Sequence, residues 1–322
     1  MPASYRVCID CPDKNIVPMS LSQAAILAPA PQLGRYLFFS MAPVQAQASA
    51  QALRGSLARL ADLADGKQVL VGLGPELVQA LGAQVPGLHP FEAMSGHGVQ
   101  VPSTPAALCC WLRGDDRGEL FHLTRRLEKV LAPALQLDLL IEAFRHGQGP
   151  TGQGRDLTGY EDGTENPAGD AAQAAALVQQ GEPGLDGSSF MAVQQWLHDF
   201  DAFDAMAADQ QDDTVGRRRS DNEELEDAPP SSHVKRTAQE SFEPEAFVLR
   251  RSMPWAQGRQ AGLMFVAFGK SFDAFEMQMR RMAGQEDGIT DALFLISKPI
   301  TGAFFWCPPL RDGRLDLRLL GL

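Results

Sequence analysis

Long apolar runs are missing from this sequence: no stretch reaches the roughly 18 residues that a membrane-spanning helix needs. Basic charge is in deficit too, with 28 Lys and Arg against 40 Asp and Glu and a net charge of -12. Nucleic acid and anionic membrane surfaces both require a basic footprint, so neither is expected as a partner. The start, MPASYRVCIDCPDKN, lacks the charged opening and apolar core of a secretory signal, and a cytoplasmic location follows as the expectation. Cysteine is sparse, odd in number and scattered: Cys8, Cys11, Cys109, Cys110 and Cys307 build no disulfide framework. Cys8 and Cys11 form a CxxC, but neither a second CxxC nor an adjoining histidine completes a zinc or c-type haem site, so they read as plain thiols. Six histidines make no HExxH or other close pair, which leaves a multi-histidine metal centre unsupported. Three tyrosines and four tryptophans restrict any electron relay to few side chains; Trp196, Trp255 and Trp306 are candidates and equally core residues.

What is present is a globular composition, 44% hydrophobic and 21% charged over 322 residues, enough for one large domain or two packed halves. Two passages look like seams: RHGQGPTGQGRDL (145–157), and the mixed-charge run from Ala205 to Ser232 that closes on two prolines. Around them the chain repeats itself. RYLFFSMAP (35–43) and FVLRRSMPW (247–255) read as matching strands. VLVGLGPELVQALG (69–82) and LMFVAFGKSFDAFEMQM (263–279) both read as a strand running into a helix. The first half adds an amphipathic helix over 45–66. Further strands are predicted at 107–114, 137–147 and 301–309, and helices at 119–135 and 170–181. The pattern is an α+β duplication, divided into residues 1–150 and 151–322, each half a sheet covered by helices. A crevice between elements of such halves suits a large ligand.

Three stretches carry chemistry. GYEDGTENP (159–167) sets Asp162 among glycines in an irregular loop. His233, in APPSSHVKRT, is a lone loop histidine that could be structural, solvated or a sole protein ligand to a metal whose other ligands come from a porphyrin. In FVLRRSMPW, alternation sends Arg250 and Ser252 to one strand face and Arg251 to the other. An arginine there serves an anion or developing oxyanion, or else forms a surface ion pair.

Together these stretches resemble the dye-decolourising peroxidases, haem enzymes that spend hydrogen peroxide on bulky organic reductants. GYEDGTENP is similar to their GxxDG signature, and the likeness continues through WLHDFDAF, VGRRRSDNEELED, SSHVKRT, FVLRRSMP and TDALFLISKPITGAFFWCPP. Length and the plain start resemble the intracellular bacterial branch with short loops. The resemblance implies duplicated ferredoxin-like halves, with one haem b per chain in the crevice of the C-terminal half. It implies His233 as the axial iron ligand and Asp291 as the carboxylate accepting the other ring N–H, which helps the iron reach a high-valent state. Asp162 and Arg250 match the distal proton shuttle and the distal cation, and Ser252 the residue that binds a distal water. Arg217 is the implied propionate partner, against a plain solvated run; the backbone N–H groups of Thr164, Glu165 and Asn166 are a second such contact. Phe265, Phe272 and Met279 are assigned to the porphyrin slot, although a Met and Phe stripe at helical spacing is also ordinary core. Relatives packaged in protein nanocompartments carry a longer tail than the one ending at Leu322, so packaging is not expected.

The implied partners are hydrogen peroxide and small organic, phenolic or dye-like, reductants. Exposed sheet edges would further make the chain a homo-oligomer, a dimer or larger. The alternative function is haem handling (binding, delivery or iron removal) with incidental peroxidase activity, which needs His233 but neither Arg250 nor Asp162. A third is a cofactor-free protein whose arginine and carboxylate form an internal ion pair.

Overall fold

The computed structural model describes residues 21–42 and 46–322; Cys8 and Cys11 lie outside them. The chain runs β1 (Leu33–Met41), α1 (Ala46–Leu63), β2 (Val69–Leu73), α2 (Pro75–Ala80), a hairpin of β3 (Met94–Gly96) and β4 (Val99–Val101), β5 (Leu108–Gly114), α3 (Arg117–Leu131) and β6 (Leu135–Phe144). After the glycine-rich passage come α4 (Gly169–Ala176), β7 (Ser189–His198), α5 (Phe200–Asp204), α6 (Ala208–Val215) and α7 (His233–Thr237). The chain continues through β8 (Leu249–Arg250), β9 (Met253–Gln257), β10 (Gln260–Gly269), α8 (Asp273–Met282), β11 (Ser297–Pro299) and β12 (Ala303–Cys307).

Strands of the first half lie in the order β6-β1-β5-β2, and those of the second in the order β9-β10-β7-β12, with every pairing antiparallel. Both orders are those of a split βαβ, ferredoxin-like unit, so the duplication read from the repeated words is present. Two seams, each one residue pair wide, join the sheets edge to edge: Trp306 with Leu73 and Ala143 with Trp255. The strands thereby close into a ring. Among the described residues, that closure pairs the outer strands of the two halves, and β8 and β11 project beyond it as edges.

Alternation along each strand decides what fills the ring. Cys109 and Trp111 of β5 join Tyr36, Met191, Met264 and Phe305 in one cluster, while Leu108, Cys110 and Leu112 join the leucines of α1 and α3 in another. The first cluster occupies the space between the sheets. It is tight: a Cβ on Gly72 would sit 2.7 Å from both Met191 and Phe305.

Two departures from expectation have local causes. β7, central to the second sheet, gives no sequence signal because its first eight residues are buried on both faces and Gln194 and Gln195 interrupt the apolar run. The single strand predicted over 247–255 is broken after Arg250, yet its register against β10 is kept, with Arg250 opposite Ala267 and Met253 opposite Met264. Among the described residues, no helix is long and apolar enough to cross a membrane.

Candidate active site

On the outer face of the second sheet, β7, β10 and α8 border a cavity, the concave kind of place where small molecules and cofactors bind. α8 begins with Asp273 and Glu276 and ends with Arg280 and Arg281, charges that suit the helix dipole at each end. Its Phe275, Gln278, Met279 and Met282 recur at helical spacing and face the cavity, joined by Leu263 and Phe265 of β10 and Trp196 of β7.

One polar pair breaks this apolar wall. His233, at the start of α7, holds its Nδ1 2.8 Å from Oδ2 of Asp291. The Asp291 side chain is fully buried. Its Oδ1 accepts the Leu293 N–H at 2.8 Å, and its own N–H donates to the Met282 carbonyl at 2.8 Å. A carboxylate fixed in this way accepts a hydrogen bond from the Nδ1–H and so selects one tautomer. Nε2 is left as the lone-pair nitrogen of a ring that lines the cavity. Asp162 and Arg250 line the same cavity, with Arg250 Nε 3.8 Å from Asp162 Oδ1, an ion pair too long for a hydrogen bond.

An imidazole backed by a buried carboxylate, an apolar cavity, and an acid and guanidinium on the same walls form one constellation. The family model for the Dyp-type peroxidase, C-terminal, matches residues 153–312, the stretch that holds all four side chains. This chain belongs to the Dyp-type peroxidase family. It is 29% identical over 253 residues to a dye-decolorizing peroxidase of Rhodococcus erythropolis, covering 76% of this chain and 73% of that protein. Among solved structures it is similar to a dye-decolorizing protein of V. cholerae, with a TM-score of 0.77, 26% identity and coverage of 92% of this chain and 98% of that one. A variant of DypB from Rhodococcus jostii RHA1 in complex with heme gives 0.79 and 25%, covering 88% and 95%. The protein is therefore a peroxidase.

The opening loop of this peroxidase site is anchored at several points. Asp156 accepts from Thr158 through both its N–H and its hydroxyl, and lies 3.0 Å from Nε2 of His198. Tyr160 donates to Asp212, and Glu161 accepts from Asn222 at 2.9 Å and from the Thr151 N–H at 2.8 Å. Gly159 and Gly163 adopt φ of 91° and 92°, which a side chain would strain. Gly163 is doubly constrained, because a Cβ there would meet the Asn166 amide nitrogen at 2.8 Å. That amide spans to the neighbouring strand. Asn166 Oδ1 accepts the Arg250 N–H at 2.7 Å and Nδ2 donates to the Arg250 carbonyl at 3.1 Å, so one side chain ties the loop to β8.

Several expected contacts fall elsewhere. Asn166 was expected to offer its backbone N–H to a cofactor, but that N–H donates to Gly163, closing a turn. Thr164, Glu165 and Arg217 do not line the cavity either; Arg217 is paired with Glu165 and Glu224. Thr164, Asn166 and Ser252 line a second cavity next door. Phe272 precedes the first turn of α8, and its ring stacks on Phe304 at 3.8 Å instead of facing the slot. Phe265, Met279, His233, Asp162 and Arg250 line the cavity, and Asp291 backs His233.

Sequence reasoning missed Gln194, whose Nε2 is buried and has no partner among the described residues although it lines the cavity. It also missed the chain Asp156–His198–Ser297, in which His198 Nδ1 lies 2.7 Å from Ser297 Oγ. Recognition of β7 as a strand would have exposed both, since Gln194 and His198 then share a face with Trp196.

Burial alone would raise the Asp156 carboxyl, but its His198 and Thr158 contacts outweigh that and hold it below the usual carboxylate value. A depressed carboxylate stabilises the fold above the unfolded value near 4 and loses that contribution as pH falls through its folded value. Asp156→Asn should therefore be less stable than the parent at pH 7 by about 1–3 kcal/mol. The gap should close as pH drops below about 4, as read by denaturant unfolding across a pH series. A gap that persists unchanged in acid would remove the pairing from the account.

Proposed function

We propose that this peroxidase carries one haem b in the cavity bordered by β7, β10 and α8 and uses hydrogen peroxide to oxidise small organic donors of the phenolic and dye-like kind. The observation that carries this reading is the His233–Asp291 pair beside a cavity that has Phe265, Phe275, Met279 and Met282 on its walls. The residues fit an iron porphyrin. Phe265, Phe275, Met279 and Met282 offer flat apolar contact, Nε2 of His233 is a neutral nitrogen ligand, and Gln194 Nε2 is a donor awaiting an acceptor.

Bound haem would supply the redox-active iron that accepts oxidising equivalents from peroxide and passes them on one at a time. The protein's own groups do the rest. Asp291 draws on the Nδ1 proton and makes His233 a stronger electron donor. Arg250, permanently charged, steadies the hydroperoxide anion and the charge that separates as the O–O bond breaks. Asp162 takes the proton from the incoming peroxide and returns it to the departing oxygen. The apolar walls keep bulk water away and strengthen each of these charge interactions. Across a turnover, one hydrogen peroxide and two donor hydrogen atoms give two waters and two donor radicals.

The absorption spectrum of the purified protein, before and after one equivalent of peroxide, tests the proposal. A Soret band is expected, it should shift on peroxide addition, and His233→Ala should lose or displace it. No band after expression with supplied haem would overturn the reading.

A further inference from the structure

The second cavity, half open and of about 390 Å3, shares Asp162, Arg250 and Leu263 with the first. Its walls carry Arg145, Arg155, Arg250, Arg251 and His146 against one carboxylate, Asp162, among the described lining residues. The guanidinium groups are oriented by neutral acceptors. Arg251 donates to the carbonyls of Ala28, Arg250 and Leu27 at 2.7, 2.9 and 2.8 Å, and Arg155 donates to those of Gly159 and Gln148. Carbonyls hold a cation in place without cancelling its charge. Burial and nearby Arg113 push Arg251 down to about 10, so it stays charged at neutral pH in a field of its own sign. The chain as a whole is acidic, at -12, so this positive focus runs against the bulk charge. Peroxide is uncharged and has no need of it. The remaining walls include Leu27, Met253 and Leu263, which suit a flat apolar body.

We propose that this antechamber binds aromatic carboxylates, with the ring against the apolar wall and the carboxylate towards Arg145 and Arg155, as the preferred electron donors of the enzyme. The donor role rests on the function proposed above; the binding does not. In turnover each of two phenolic carboxylates gives up the hydrogen atom of its hydroxyl, peroxide becomes two waters, and no other reactant is required.

The probes are 4-hydroxycinnamate and its methyl ester, which differ in charge and little in ring chemistry. Binding is measured by calorimetry on the protein with and without haem, and kcat/KM is measured for each donor. The acid should bind and react about fivefold better than the ester, as a partly exposed ion pair allows. The advantage should shrink when salt rises from about 20 to about 200 mM. Arg145 is exposed and outside the peroxide-handling residues, so Arg145→Glu should fold normally. It should erase the advantage of the acid in both measurements, leaving the ester and the rate with peroxide unchanged. Equal binding of acid and ester by the parent protein would overturn the proposal, as would an Arg145→Glu variant that keeps the preference. A variant slowed equally with both donors would overturn it too, marking the antechamber as a peroxide route. Preferential binding of the acid without peroxide turnover on either donor would defeat the proposed function and leave the anion site standing.

Discussion

Arg250→Ala is expected to slow the reaction with hydrogen peroxide by about a hundred- to a thousandfold, the usual cost of losing a preorganised donor at a developing charge. Haem content should stay at the parent level, because the apolar side chains of the cavity and His233 are untouched. Among the described residues, the guanidinium is the one permanent cation lining the cavity, and its Nε stands 3.8 Å from Asp162. Removing it leaves the hydroperoxide anion without its counter-charge and releases Asp162 from its partner. Asp162→Asn should cost less, about tenfold, at the low end of what a positioned proton shuttle contributes, and should flatten the pH dependence. Arg250→Lys should restore little, since a compact ammonium cannot reproduce the directed fork. Stopped-flow absorbance against peroxide concentration measures all three. Rates unchanged in both Arg250→Ala and Asp162→Asn would point instead to a protein that handles haem and turns over peroxide only incidentally.

Asn166→Ala should lower the same rate by about a hundredfold, the scale set by a misplacement of roughly 1 Å in a catalytic group. Its amide is the partner that β8 lacks on the side away from β10, making two hydrogen bonds to the Arg250 backbone. Without it the Arg250 N–H has no acceptor, and the distance between loop and strand is no longer set from both sides. A merely structural role would lower the melting temperature and spare the rate measured well below it; a positioning role should lower the rate while haem binding and cooperative unfolding persist. Asn166→Asp should not rescue, because a carboxylate accepts from the N–H but repels the carbonyl. Gly163→Ala should follow the same course, since its Cβ would press on that amide from a backbone at φ of 92°. A parent-like rate in Asn166→Ala would dismiss the coupling.

The most legible parts of the site were those whose chemistry forces a rare residue into a rare setting. A carboxylate between glycines, a histidine after a proline-rich seam and an arginine in an apolar strand are each unusual, and their order is informative. The α+β duplication was legible for a different reason: repeated words impose repeated periodicity. Asn166 was misread because a side chain that substitutes for a strand partner leaves no periodic trace, and only the pairing of Arg250 reveals it. Phe272 was misread because helical spacing relates it to Phe275 and Met279 although the helix begins at Asp273. Gln194 and His198 stayed hidden with β7, where burial on both faces erases the alternation on which strand recognition depends. The pairing of the two sheets edge to edge was not legible, since it depends on contacts between residues as distant as Leu73 and Trp306.

Those two narrow seams bear on how the polypeptide can be cut. Each half is a complete ferredoxin-like sheet by strand order, yet each leaves its outermost strands, β2 and β6 or β9 and β12, to be satisfied by the other. A fragment made of either half would present two bare rows of backbone donors and acceptors along its flanks, together with the Trp and Phe side chains that now fill the interior. Such a piece would recruit a stranger's strand in place of its sister's, so the two copies, however alike, are committed to being synthesised and folded as one.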